Sequence, residues 1–157
     1  MAYHDDLLSQ AMQMVHATPP SQASFRRAVS AAYYAVFHLL IAEATANWSN
    51  AALRTALGRA FNYGLMRAAS NRILNVEAFP FRGEDPELVE DLRFVAKTFT
   101  ELQEARHIAD YNLTHELHPI DALNQVRLAE TIFQTWGSIR ESHIAQAYLV
   151  SLLVKHR

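Results

Sequence analysis

The fold of this chain is decided by the stretch FRRAVSAAYYAVFHLL, which runs from Phe25 to Leu40. Its apolar residues recur every three or four positions, which is the spacing of one face of an α-helix. Two neighbouring stripes follow this spacing: Phe25, Val29, Ala32, Val36 and Leu39, and Tyr33, Phe37, Leu40 and Ala44. Because together they cover more than half of the circumference, we predict a central helix that contacts several neighbours. Ser21 or Ser24 is expected to cap its start, and the helix should run to about Ala46.

Long helices are also predicted on both sides of this central helix. Apolar spacing predicts a first helix over Tyr3 to Ala17, which the prolines after it stop. A third long helix should run from Asp85-Pro86 to about Asn112, because Asp caps helices well and Pro fits the first helical position. A fourth should begin at Pro119 and either break at Gly137 or continue to Val154.

The segment between the second and third long helices has a weaker periodicity. Residues 48–75 predict two short helices, with Ser49 as a candidate cap, and residues 75–85 predict a loop in which Phe79 and Phe81 are exposed. Four long helices joined by short links are typical of a bundle. We therefore predict an all-α fold, an up-and-down four- to five-helix bundle with a short-helix insertion between the second and third long helices. It should form a single domain over residues 1–157.

Composition excludes several classes of protein. The chain has 157 residues, of which 50% are hydrophobic and 19% charged, and this is enough to bury one full core. It contains no cysteine, so disulfide frameworks, thiolate metal sites and cysteine nucleophiles are excluded. The apolar stretches 35–42 and 147–154 are far shorter than the roughly 20 residues that span a bilayer, and residues 1–6 do not resemble a signal peptide. We expect a cytoplasmic protein that does not enter a membrane.

Arg106 is the most informative single residue, because it interrupts the apolar seam of the third long helix. That seam comprises Leu88, Leu92, Val95, Phe99, Leu102, Arg106, Ala109 and Leu113. Burying an unpaired guanidinium costs several kcal/mol, so Arg106 needs a partner or a solvent-filled groove. Asp110 lies one helical turn later on the same face and is the expected partner. The pair is compatible with a structural ion pair or with a site for an anionic ligand.

Two segments resemble a known family. The run from Phe25 to His38 and the run Arg106-His107-Ile108-Ala109-Asp110-Tyr111 are similar to the HEPN family, named for nucleotide binding in higher eukaryotes and prokaryotes. The resemblance implies a helical bundle that pairs as a dimer through its long helices. Many members of the family are metal-independent ribonucleases or toxins paired with a nucleotidyltransferase antitoxin. Others bind nucleotides or are inactive helical partners.

The chain departs from the ribonuclease motif of that family, which is an Arg, four to six residues and then a His. Arg106 matches the Arg, but Tyr111, Asn112 and Leu113 occupy the positions where the His is expected. His107 is too near and His115 too far. RNA cleavage needs a group that titrates near neutral pH, and tyrosine, with a pKa of about 10, is a poor base. Whether His107 or His115 substitutes is open, and so is the question of whether the chain is an enzyme.

The candidate site residues follow from these segments. If the chain is a metal-independent endoribonuclease, its catalytic candidates are Arg106, Asp110, Tyr111 and His115. The candidates for binding RNA or a nucleotide are Arg26, Arg27, Tyr33, Tyr34, His38 and His107. The aromatic residues among them are equally compatible with core packing. Glu104 and His107 have the Glu-x-x-His spacing of di-iron bundles, but only one copy exists, so we predict no metal and no cofactor.

The sequence also predicts partners. The apolar tail from Tyr148 to Val154 should find little room in a monomer core, and together with the resemblance it predicts a homodimer. The expected function is binding of RNA or a nucleotide phosphate, in a toxin-like protein with a degenerate ribonuclease motif. The alternatives are a non-catalytic helical partner of a nucleotidyltransferase-type protein in a toxin and antitoxin pair, or a purely structural interaction bundle.

Overall fold

The fold is all-helical, as the computed structural model shows for the residues that it describes, 2–75 and 81–154. These ranges contain seven α-helices and no β-strand. The helices are α1 Tyr3–Val15, α2 Gln22–Thr45, α3 Ala51–Gly58, α4 Tyr63–Ile73, α5 Pro86–Tyr111, α6 Pro119–Ile139 and α7 His143–Leu153. The predicted all-α helical bundle is confirmed.

The ends of the long helices follow the capping signals. The Ser21 hydroxyl accepts a hydrogen bond from the backbone N–H of Ser24 (3.1 Å) at the start of α2. Asp85 accepts one from the N–H of Glu87 (3.0 Å) at the start of α5. The prediction of Ser49 as the cap of α3 is wrong, because the side chain of Asn50 accepts the hydrogen bonds from the backbone N–H groups of Ala52 and Leu53.

The chain after Pro119 does not continue as one helix to Val154, and it does not break at Gly137 either, because Gly137 lies within α6. Helix α6 ends at Ile139, and α7 begins at His143 with the Ser142 hydroxyl as its cap. In the loop before α5, Phe81 is buried, which contradicts the expectation that it is exposed, whereas Phe79 lies outside the described residues. Gly83 adopts a φ of 84° in that loop, a conformation that glycine reaches without strain.

Two compact units divide the chain. The first unit is Met1–His38 with Glu101–Gln134, and the second is Leu39–Thr100 with Thr135–Arg157. The boundaries fall inside α2, α5 and α6, so each unit contains a part of those three helices. The single domain over residues 1–157 stays a prediction.

The first unit carries the residues that sequence analysis singled out for function. Its buried core combines α1, the first part of α2, the end of α5 and most of α6. The fully buried or almost fully buried members are Ala11, Ala28, Val29, Ala32, Tyr33, Ala35, Val36, Leu102, Ala109, Ala122, Val126, Ala129 and Ile132. Leu113 was predicted to continue the α5 seam, but it is exposed because the helix already ends at Tyr111.

The second unit contains α3, α4 and α7, and Trp136 and Tyr148 are among its fully buried large side chains. Trp136 and Tyr148 pack against each other with ring centroids 6.4 Å apart. The Tyr148 hydroxyl lies 2.8 Å from the Ser70 hydroxyl, which donates to the carbonyl of Met66 (2.8 Å). Tyr148 is therefore the donor to Ser70, and burial raises the pKa of its phenol and keeps it protonated.

The expectation that the apolar tail finds little room in the core is partly wrong. Tyr148, Leu149 and Leu152 of α7 are buried, whereas Val150 and Val154 are exposed. The exposed side of α7 therefore carries an apolar side chain at Val150, and a second one, Val154, follows directly after the helix.

Among the described residues, α2 is long and apolar enough to cross a membrane by length and composition alone. However, 61% of its most apolar window is buried within the protein. The core helix of a protein outside the membrane can have the same length and apolar composition, so these features of α2 are weak evidence for a membrane span.

The buried hydroxyl pair of the second unit gives a stability prediction. Ser70→Ala leaves the Tyr148 O–H buried without its acceptor and should lower the free energy of unfolding by about 1–3 kcal/mol. Tyr148→Phe removes the donor itself and leaves no unpaired O–H at residue 148, so it should cost less, about 1 kcal/mol. Urea denaturation measures both, with the exposed Ser138→Ala as the matched control. The prediction is wrong if Ser70→Ala costs no more than Ser138→Ala.

Candidate functional site

Arg106 lies on α5 in the first unit, where its side chain is only 11% exposed. Its Nη1 is 3.6 Å from Oδ2 of Asp110, the partner that the helical spacing predicts. The Ser30 hydroxyl of α2 donates to the same carboxylate oxygen at 3.4 Å. Both distances exceed those of tight charge-assisted hydrogen bonds, about 2.7–2.9 Å for N–H to O and less for O–H to O, so the carboxylate holds Arg106 loosely.

Three tyrosines surround the guanidinium. Its Cζ atom lies 5.3 Å from the ring centroid of Tyr33, 5.7 Å from that of Tyr34 and 5.9 Å from that of Tyr111. These distances are within the range of cation–π attraction. Tyr33 is fully buried, whereas Tyr111, at the end of α5, is 66% exposed. We call Arg106, Asp110 and these three tyrosines the arginine cluster, which reaches from the core to the surface.

The charge of Arg106 is permanent. Burial by itself lowers the pKa of Arg106, but Tyr34, Tyr33 and Asp110 raise it by more, so the net shift is upward. At neutral pH, Asp110 is the negatively charged partner of Arg106.

An aromatic pair extends the arginine cluster at the surface. The ring of His107 lies 5.1 Å from the ring of Tyr111, with the two planes inclined by 51°, and both residues are exposed. Exposed ring faces of this kind accept a nucleobase of any type by stacking. The structure therefore brings five of the predicted site residues to the neighbourhood of Arg106.

His38 lies on the same side of α2 as Tyr34, with ring centroids 6.4 Å apart. Tyr3 at the start of α1 covers it edge-on, with the centroids 4.9 Å apart. Burial, with a smaller contribution from the charge of His4, lowers the pKa of His38, so its imidazole is neutral at pH 7. Sequence reasoning missed Tyr3, because its position at the first turn of a helix carries no signal for a contact with α2.

Arg26, which was predicted to bind the ligand, instead forms hydrogen bonds with the backbone at the end of α5. Its guanidinium donates to the backbone carbonyls of Ala109 (2.9 Å) and Asn112 (3.1 Å) and to that of His115. A positive charge at the carbonyl end of a helix is favourable, because the helix dipole is negative there. Arg26 thus holds the end of α5 against α2, whereas its neighbour Arg27 is exposed.

His115 is not brought to Arg106. It lines a cavity of about 230 Å³ with Ala105, Ile108 and other residues, which are Val29, Leu117, Asp121 and Gln125. At 100° per residue, Ala105 and Ile108 leave α5 on a different side from Arg106. The turn cannot fold back toward Arg106, since Gln22 of α2 exchanges two hydrogen bonds with the backbone of Leu117 (2.6 and 3.0 Å).

Within residues 2–75 and 81–154, no group of three or more His, Asp or Glu side chains is placed to hold a metal ion. Glu104 and His107, which have the Glu-x-x-His spacing, are both exposed on α5.

Comparisons of the chain with protein-family models, with curated proteins and with solved structures found no match. The resemblance to the HEPN family therefore stays a prediction.

The two adjacent arginines of α2 make a matched pair for mutation. Arg26→Ala removes the charged hydrogen bonds at the end of α5 and should lower the free energy of unfolding by about 2 kcal/mol. Arg27→Ala should change it by less than about 0.5 kcal/mol, because Arg27 is exposed. Chemical denaturation checks both values. Equal effects of the two substitutions would show that Arg26 does not stabilise the helix end.

The lowered pKa of His38 predicts a pH dependence of stability. Below the unfolded pKa of about 6.5, the unfolded chain binds a proton that the folded chain resists, so stability should fall as the pH decreases. His38→Gln should reduce the change in the free energy of unfolding between pH 7 and pH 5. His143→Gln, which changes an exposed histidine, is the control and should leave the slope as it is. An unaltered slope in His38→Gln would contradict the prediction.

Proposed function

We propose that the chain is a HEPN-like, dimeric, cytoplasmic protein that binds RNA or a nucleotide phosphate at the arginine cluster. The observation that carries the proposal is the position of Arg106, a permanent cation beside the exposed rings of Tyr111 and His107. A nucleotide has an anionic part and a planar part. The cluster offers a partner for both, since the Arg106 cation lies 5.9 Å from the ring of Tyr111.

The phosphate would be bound by Arg106. A guanidinium presents five N–H donors in a planar fork that matches two oxygens of a phosphate. Asp110 competes for the same donors, but its contact with Arg106 is 3.6 Å long and therefore loose. In this proposal Asp110 orients the guanidinium and also limits the affinity, because its negative charge repels the ligand.

The base would stack on Tyr111 and His107. Tyr33 is buried and supports the cluster from within, so it serves the site by packing rather than by contact with the ligand. Tyr34 lies between Arg106 and His38 and contacts both. Stacking does not select one base over another, and the proposed site therefore distinguishes nucleotides from other anions more than it distinguishes bases.

Cleavage is a separate question from binding. Attack of a ribose 2′-hydroxyl on phosphorus forms one P–O bond and breaks the bond to the 5′-oxygen, while a proton leaves the first oxygen and another reaches the second. Arg106 would hold the phosphorane oxygens. Of His107 and His115, His107 is the one that contacts the cluster, since His115 lies on another side of α5. We propose binding as the function and His107 as the residue on which any cleavage depends.

A second candidate function is that of a non-catalytic helical partner of a nucleotidyltransferase-type protein, or of a structural interaction bundle. The observation that favours it is the exposure of two apolar side chains, Val150 on α7 and Val154 directly after the end of that helix. Both line the same surface cavity. Exposed apolar side chains on one surface are typical of a protein interface, and this surface also supports the proposed homodimer.

Substitutions of Arg106 and Asp110 test the binding proposal, because they should change the affinity for RNA in opposite directions. Arg106→Ala should weaken the binding of a labelled single-stranded RNA at least about tenfold, and Arg106→Lys should weaken it less, because lysine keeps the charge but not the fork. Asp110→Asn should strengthen the binding, because it removes the competing carboxylate. Fluorescence anisotropy measures all three.

Arg127→Ala is the control, because it removes an exposed arginine of α6 and should leave the affinity unchanged. Degradation of the RNA is followed in the same samples with wild type, His107→Ala and His115→Ala. Cleavage that survives Arg106→Ala would contradict the assigned site. Wild-type protein that neither binds nor cleaves RNA would contradict the proposed function and favour the interaction protein.

A further inference from the structure

One face of α2 carries a row of side chains suited to nucleic acid. Arg27, Ser30, Tyr34 and His38 are spaced by three or four residues, so they lie on the same side of the helix. Ser30 donates to Asp110, and Tyr34 contacts Arg106, so this is the side of α2 that faces the arginine cluster. The row therefore runs past the proposed phosphate site in both directions.

Aromatic rings continue the row at one end. Tyr3, which is 61% exposed, contacts His38, and His38 contacts Tyr34. From Tyr34 the contacts lead through the guanidinium of Arg106 to Tyr111 and then to His107. Successive members are 4.9–6.4 Å apart. We call this series, together with Arg27, the aromatic strip. All of its members belong to the first unit.

We propose that the ligand of the arginine cluster is a stretch of single-stranded nucleic acid several nucleotides long, and that Tyr3 forms a base-stacking subsite at the far end of the aromatic strip. This inference rests on the proposed function and adds the length of the ligand and one further binding residue. Arg106 and Arg27 meet phosphates, while Tyr3 at one end and Tyr111 with His107 at the other meet bases.

The length of the strip argues for a strand rather than a mononucleotide. Arg27 and His38 are eleven residues apart on α2, which corresponds to about 16 Å along the helix axis. Stacked bases rise about 3.4 Å each, so this distance matches about five stacked nucleotides. A mononucleotide that contacts Arg106 and Tyr111 leaves Tyr3 without a ligand.

The exposed rings argue for a single strand rather than a duplex. Stacking on Tyr3 or Tyr111 requires a base whose face is free, and in a duplex each face is covered by the next base pair. Acidic residues that are close in the chain to members of the strip, among them Asp5, Asp6, Glu104 and Asp110, oppose the binding of phosphates. Binding should therefore be modest in affinity and should weaken further as salt rises, since the two arginines supply most of the attraction.

The test compares two ligands and two tyrosines. The ligands are a five-nucleotide single-stranded RNA of uridines, labelled for anisotropy, and uridine monophosphate, measured by competition. Tyr3→Ala should weaken the binding of the pentanucleotide about fivefold and leave that of the monophosphate unchanged, because only the longer ligand reaches Tyr3. Tyr3→Phe keeps the ring and should restore the binding.

Tyr63→Ala is the matched control, since Tyr63 is also an exposed tyrosine at the first position of a helix, but in the second unit. It should not change the affinity for either ligand. Arg27→Gln should reduce the slope of log affinity against log salt by about 0.7, the value for one phosphate of a single strand, whereas Arg127→Gln should not. Duplex RNA should bind more weakly than the single strand.

The outcomes separate this inference from the proposed function. Binding of both ligands by the wild type, with no effect of Tyr3→Ala on the pentanucleotide, overturns the strip and keeps the phosphate site. An equal loss for both ligands also overturns it, because Tyr3 would then act on the site at Arg106 itself. Duplex RNA bound as tightly as the single strand overturns the stacking. No binding of any of these ligands by the wild type overturns both proposals.

Discussion

The first unit depends on one constraint, which is that a guanidinium with little access to water must be compensated on every side. An arginine in this position costs several kcal/mol unless a carboxylate and polarisable groups surround it. Asp110 supplies the carboxylate from the next turn of α5, and Tyr33 and Tyr34 supply ring faces from α2. The packing of α2 against α5 is therefore specified by charge as well as by apolar area, since a shift of one residue along α2 would separate these partners.

The cluster has an inner side and an outer side, and the difference between its tyrosines defines them. Tyr33 is completely buried, whereas Tyr111 is mostly in solvent, although their rings are at similar distances from the same guanidinium. The inner ring packs against the cation within the core, whereas the outer ring lies at the surface. In the proposed function, a ligand would approach the cation from the side of Tyr111.

Much of this arrangement follows from the sequence, and the rest does not for physical reasons. The seam of α5 placed Arg106, and helical spacing alone placed Asp110 beside it, because both are properties of a single helix. The structural position of Arg26 and the contact of Tyr3 with His38 involve residues that are distant in the chain. Periodicity describes one element at a time and contains no information on which turn of one helix meets which turn of another. The position of His115 was likewise decided by a turn that Gln22 holds from α2.

The bonds from Arg26 to the carbonyls at the end of α5 have one more consequence. The last turn of a helix ordinarily frays, since its carbonyls have no partners within the helix. Here the fraying end is the turn that carries Tyr111, and a side chain from another helix ties it down. The backbone that carries the exposed Tyr111 ring is therefore ordered in the folded protein. If a ligand stacked on this ring, less backbone entropy would be lost than at a helix end that frays.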